Sequence, residues 1–410
     1  MDRIVISRRH AVAAGVMGVA LLSGCDAALE APGIADAPEI TDRPGSSPVV
    51  ENPDPEPTPA EKALARMTLE QKVAQLFFVT PEGLTGASVA TVAGTLTADA
   101  LAQIPVGGLV YFSQNLESAQ QVRDLLSGTA ALCRDAGAGI APFLGVDEEG
   151  GPLVARIANS GLFDVPRFPN MADIGATGDP AQAAAVGTAI GTYLHDIGFN
   201  VDFAPDADVL TNPSNTAIGA RSFGADPSLV ASMVAAEVEA MRETGTLPCV
   251  KHFPGHGDTA GDSHTGAVYA ERLRVDIEAC EFAPFRAAIE SGCPFVMVGH
   301  IETPNFAGDG LPASLSPIMM TDVLRGDLGF EGIVISDSFA MGAITQNYSP
   351  ADAAVRFFQA GGDMLLMPAD LRAAYQGVLD AVHAGTLTEE RVDKSVLRIL
   401  TAKDEAGLLA

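Results

Sequence analysis

The segment Lys251-His252-Phe253-Pro254-Gly255-His256-Gly257-Asp258-Thr259-Ala260-Gly261-Asp262-Ser263-His264 concentrates the reactive side chains of this sequence. Three of its seven histidines fall within 13 residues. Pro254, Gly255, Gly257 and Gly261 make the stretch after Phe253 a loop rather than a helix. One chemistry open to it is metal binding, with His252 and His256 joined by Asp258 or Asp262. That spacing puts two ligands on one face only in a helix, and Pro254 and Gly255 stand between them, so no metal is expected. A second chemistry pairs Asp262 with His264. A carboxylate two residues from an imidazole orients it and holds its proton, which frees the other ring nitrogen for acid and base work. Asp337, at the end of an apolar run, then serves as nucleophile. A carboxylate nucleophile with a separate acid is the plan of retaining glycoside hydrolysis. Aspartates at strand ends also serve lyases and aldolases, and Lys251 offers a Schiff base. The residues alone leave these readings open.

Eight short β-rich runs position these groups: Val73–Val79, Val106–Phe112, Phe143–Glu149, Asn200–Asp206, Cys249–Phe253, Phe295–Ile301, Gly332–Asp337 and Met364–Met367. Helical stretches separate them: Ala98–Gln103, Ser118–Ala136, Asp179–Ile197, Asp226–Thr244, Asp276–Ser291, Ser316–Leu328, Ser349–Ala360 and Leu371–Ala384. Most open on Ser or Asp, which cap helix N-termini, and close at Gly. Strand then helix, eight times over, implies an α/β fold: a single (β/α)8 TIM-type barrel, with an open doubly wound sheet as the rival. Charged and imidazole groups stand at the carboxyl ends of five successive runs, from Asp147-Glu148-Glu149 through Asp206, Lys251-His252 and His300 to Asp337. In barrels that rim is where catalytic groups collect.

With these motifs in place, the sequence resembles the β-N-acetylglucosaminidases of glycoside hydrolase family 3. The two-part loop, Lys251 to Gly257 and then Asp262-Ser263-His264, carries most of the likeness. Asp147-Glu148-Glu149-Gly150-Gly151, Asn200-Val201-Asp202-Phe203-Ala204-Pro205, Ile218 to Gly224, and Leu328 to Asp337 extend it over nearly all of 60–410. The resemblance implies a retaining exo-acting hydrolase that removes terminal GlcNAc from peptidoglycan-derived or chitin-type glycans. It implies Asp337 as nucleophile, His264 as acid and base, and Asp262 as its partner. It also implies that Asp147, Arg156, Arg221, Lys251 and His252 hold the sugar, without cofactor or metal. The chain departs from the pattern at Glu148, where the family often has Gln. One extra residue stands before Arg156, and Thr265-Gly266 replaces the usual Leu-Pro. Only 73 residues follow Asp337, too few for the second domain that brings the acid in family glucosidases. A phosphorylase on the same residues and a glycan-binding protein on a retired barrel are the competing readings.

The first 60 residues read as an address. Arg3, Arg8 and Arg9 precede an apolar run from Ala11 to Leu22 that ends Leu22-Ser23-Gly24-Cys25. This is the form of an export signal, and its end resembles a lipobox, so residues 1–25 are expected to direct export and lipidation at Cys25. Residues 26–59 hold 8 Pro, 8 acidic residues and one Arg. Low hydrophobicity and like charge predict a disordered tether. The barrel is then expected over 60–410, outward-facing and membrane-anchored through Cys25, acting as a monomer on a small GlcNAc-terminated glycan. A formal net charge of −28 argues against nucleic acid as a partner. The absence of Trp weakens any case for a long cleft lined with indoles. The five cysteines form no metal or disulfide pattern.

Overall fold

The computed structural model describes residues 56–409 apart from 262, 264 and 265. Eight parallel strands alternate with helices: β1 Phe77–Val79, β2 Gly108–Val110, β3 Phe143–Val146, β4 Val201–Asp202, β5 Leu247–Phe253, β6 Phe295–Val298, β7 Ile333–Ser336 and β8 Leu365–Leu366. Their hydrogen-bonded order is β7-β6-β5-β4-β3-β2-β1-β8. A parallel bridge between Ile335 and Met364 joins the two ends. The sheet is therefore closed, and the α/β expectation of a TIM-type barrel holds.

Aromatic rings fill the barrel. Phe78 stacks on Phe143 at 6.4 Å and meets Phe203 edge-on at 5.3 Å, while Phe143 meets Phe295 at 5.2 Å. Phe78 fits because Gly108 and Gly145 face it. A Cβ on either would come within 2.6 or 2.9 Å of its ring. At the amino-terminal end, Lys403 is fully buried, donates to Gln75 at 2.7 Å and lies 5.0 Å above the Phe143 ring.

The outer helices form where local signals place them. Ser118, Asp179, Asp226, Ser349 and Asp370 each cap a following helix with their side chain. Gly198 and Gly361 end helices in the left-handed region that costs glycine no Cβ clash.

Several boundaries differ from expectation. The run 73–79 is not one strand, because Leu69–Gln75 is a helix and only Phe77–Val79 is extended. Thr68 and Gln71 form a reciprocal capping box that starts this helix. Its residues Lys72 to Gln75 are all buried, which removes the periodicity that would have marked it. The stretch 276–291 splits into Arg274–Ala279 and Phe282–Glu290. Pro284 cannot donate to a carbonyl four residues back, so one helix does not run through. Residues Ile318–Asp327 wind as a π-helix, with Leu328 N–H closing on Val323 at 2.8 Å. A two-stranded hairpin, Glu148–Gly150 with Val154–Ala155, follows β3. A last helix, Glu389–Glu405, packs beside Pro59–Leu64.

Candidate active site

Asp147 follows β3 directly, and the hairpin then alternates its side chains. Asp147 and Glu149 point into one charged cluster, while Glu148 turns the opposite way. Fully buried, Glu148 accepts from Ile157 N–H at 2.7 Å, Ala158 N–H at 3.0 Å and the Tyr193 hydroxyl at 2.7 Å. Those amides open the short helix Arg156–Ser160, so Glu148 sets the position of Arg156 instead of facing a ligand. Its carboxyl is raised by burial, against which these three donors pull.

Lys251, in β5, is the centre of the cluster. Its Nζ lies 2.9 Å from Asp147 and 2.6 Å from Glu149. Arg221, on a single 3₁₀ turn, meets Glu149 with two parallel bonds of 2.7 Å and stands 3.5 Å from Asp206. Arg156 reaches Asp147 at 3.5 Å and covers the Phe112 ring at 4.8 Å. Glu149 thus fixes two cations at once, with its side chain 1% exposed. Burial alone would raise its carboxyl, but Lys251 and Arg221 hold it well below the usual carboxylate range. Lys251 is pushed up, since Asp147 and Glu149 outweigh its own desolvation.

His252 is ordered from below. Its Nδ1 lies 2.8 Å from Asp208 Oδ2, and Asp208 is wholly buried. Burial disfavours the imidazolium, yet the Asp208 carboxylate overcomes this and raises His252. Among the described residues none bonds its Nε2, so that edge can serve a ligand. Asp206 and Asp208 share this buried floor, and burial followed by the neighbouring Asp208 charge raises the Asp206 carboxyl.

Asp337 leaves β7 half-buried at the carboxyl end of the barrel. Its Oδ1 accepts from Ser338 N–H at 2.7 Å. Burial works against its charge, but His252, His300, this amide and Lys251 together lower it, so it is held ionised. His300, at the end of β6, donates from Nε2 to the Ser338 carbonyl at 2.9 Å and so braces the turn after Asp337.

The fold therefore brings Asp147, Arg156, Arg221, Lys251 and His252 together, with Asp337 close enough to feel the charge of Lys251 and His252. Asp262, His264 and Cys25 lie outside the described residues. Sequence reasoning missed Glu149 and Asp208. The spacing Asp147-x-Glu149 on an extended segment was the available signal, because period two puts both acids on one side. Asp206, Asp208 and His252 bring ligand atoms within 4.8 Å of one another. The Arg221 guanidinium beside Asp206 supplies positive charge where a cation would sit, and the His252 nitrogen facing them is bonded to Asp208.

The barrel and its sequence have known relatives. Residues 68–402 fit the model of the glycosyl hydrolase family 3 N terminal domain. The chain belongs to glycosyl hydrolase family 3. Beta-hexosaminidase A of Pseudoalteromonas piscicida is 33% identical over 347 residues, 79% of this chain and 57% of that protein. Beta-hexosaminidase LpqI of Mycobacterium bovis is 35% identical over 279 residues, 65% of this chain and 70% of that protein. A solved structure of a glycoside hydrolase family 3 beta-N-acetylglucosaminidase from Paenibacillus sp. superposes with a TM-score of 0.77 at 35% identity, covering 83% of this chain and 63% of that one. This family 3 chain thus spans less than two thirds of the first and third of these relatives.

Proposed function

We propose that this family 3 protein is a retaining exo-β-N-acetylglucosaminidase that hydrolyses terminal GlcNAc from peptidoglycan-derived or chitin-type glycans. The observation that carries the proposal is Asp337: a carboxylate held ionised on a rigid strand end, beside a preassembled cluster of hydroxyl-binding groups. Asp147 accepts from sugar hydroxyls, and Arg156, Arg221, Lys251 and His252 donate to others. Asp337 attacks the anomeric carbon and forms a glycosyl ester as the bond to the leaving oxygen breaks. His264, oriented by Asp262, gives its proton to that oxygen and then takes one from the attacking water, which releases Asp337. The proposed working unit is a monomer.

The names of the relatives support the substrate class, and the loop signature Lys251 to His264 supports the Asp-His pair. Among the described residues no helix is long and apolar enough to cross a membrane. Attachment is assigned to a lipid on Cys25 after export, a reading that rests on Leu22-Ser23-Gly24-Cys25. The test is a panel of aryl β-glycosides with and without phosphate, followed by trapping with a 5-fluoro or 2-fluoro glycosyl analogue. The expected outcome is GlcNAc of retained configuration and a label on the peptide containing Ser336-Asp337-Ser338. Release of a sugar phosphate, an inverted first product, or a label on another carboxylate overturns the mechanism.

A further inference from the structure

The loop that follows β5 is tied down at His256, a residue that the scheme above leaves without a task. His256 is buried at 4% exposure. Its backbone N–H donates to Asp208 Oδ1 at 2.5 Å, the carboxylate whose other oxygen orients His252. Its ring contacts side chains at both nitrogens: Nδ1 lies 2.7 Å from Thr259 Oγ1, and Nε2 lies 3.4 Å from Ser263 Oγ. Thr259 Oγ1 lies 2.9 Å from the His256 carbonyl and donates its single proton there, so Nδ1 carries the ring proton and Nε2 accepts from Ser263. Burial lowers the His256 pKa, in keeping with a neutral ring. Asn215 closes the knot by donating to the His256 carbonyl at 2.7 Å and to Thr259 Oγ1 at 3.3 Å. Ser263 is flanked in the chain by Asp262 and His264.

We propose that His256 is a positioning residue for proton transfer: it fastens Ser263, which stands between Asp262 and His264 in the sequence, to the Asp208 floor that also holds the sugar-binding His252. The inference rests on the reading of His264 as the acid. One buried carboxylate, Asp208, then serves both halves of the site. Through Oδ2 it orients the ring that grips the sugar, and through Oδ1 it anchors the loop that delivers the proton. A loop rich in glycine (Gly255, Gly257 and Gly261) loses much entropy on ordering, so a buried side-chain anchor between two of these glycines is where restraint is needed.

The experiment compares 2,4-dinitrophenyl and phenyl β-N-acetylglucosaminides on the full-length protein and two variants. The dinitrophenolate departs with little acid help, whereas phenolate needs it. In His256→Leu, kcat/KM for the phenyl substrate should fall about 10- to 100-fold, part of the 10²–10⁴ that general acid catalysis supplies. The pre-steady-state first step with the dinitrophenyl substrate and the inhibition constant of GlcNAc should each move less than about threefold, because neither depends on the acid. His256→Gln, which keeps an acceptor in reach of Ser263, should recover most of the phenyl activity. If His256→Leu does not fold, Ser263→Ala removes the other end of the contact and should give the same split between substrates. Equal loss on both substrates, or loss on neither, overturns the positioning role. A wild-type protein that cleaves neither substrate overturns the parent reading as well, so the two failures are told apart.

Discussion

Glu237 offers a test of the electrostatics beneath the site. It lies on the helix Pro227–Glu243, is 1% exposed, and has no hydrogen-bond partner among the described residues at either carboxylate oxygen. The facing helix Pro180–Ile197 approaches so closely at Gly187 that a Cβ there would lie 3.0 Å from Glu237 Cγ. Burial first, and the Glu149 charge second, push the Glu237 carboxyl up to about 8 from an ordinary 4.5. Between those values the folded chain holds a proton that the unfolded chain releases, so stability falls as pH rises. The loss is about 1.4 kcal/mol per pH unit, or roughly 3 kcal/mol at pH 7, and is complete above pH 8. Glu237→Gln removes the titration at nearly constant volume. Urea unfolding of wild type and variant should therefore agree near pH 4.5 and diverge steadily to pH 8, with the variant more stable. The difference between the two chains cancels the other titrating groups. A gap of the same size at pH 5 and pH 8 would refute the reasoning, since only a charge penalty at Glu237 grows with pH.

Lys403 should behave in the opposite sense. Burial pushes it down to about 7, so the folded chain lacks a proton that the unfolded chain carries up to about 10.5. Any advantage of Lys403→Met in urea unfolding should be largest below pH 7 and shrink as pH rises toward 10. Glu149→Gln leaves Arg221 and Lys251 without their shared anion and turns an amide donor toward a guanidinium. It should destabilise the fold by about 3 kcal/mol and weaken GlcNAc inhibition at least tenfold, checked by calorimetry and competition kinetics. Cys25→Ala should release soluble protein with unchanged kinetics, and an unmodified Cys25 in mass spectra of the wild type would refute lipidation.

Much of the barrel could be read from the sequence because its signals are local. An N-cap such as Ser118 or Asp226 acts within three residues, and a closing glycine such as Gly198 acts at one position. The strand ends Asp147, Lys251-His252 and Asp337 could likewise be read, since a parallel strand buried on both faces leaves polar groups only where it ends. Locality also explains the error at 73–79. A helical turn buried on every side, as Lys72 to Gln75 are, shows no period, so Val73 to Gln75 resemble strand until tertiary packing decides.

What the tertiary structure alone decided is which charges meet. Glu149 and Arg221 are 72 residues apart, as are no pair the chain's local rules could join. Asp147 and Lys251 are 104 apart, and Asp208 and His256 are 48 apart. Closure of the sheet between Ile335 and Met364 sets the ring of rim residues. The alternation of the hairpin then sends Glu149 into the charged cluster and Glu148 away from it, although they are adjacent and chemically identical. The physical reason is the range of the forces: capping and turn preferences act over a few residues and are written in the local sequence. The energy of a buried charge depends on partners that only the closed barrel brings within 3 Å.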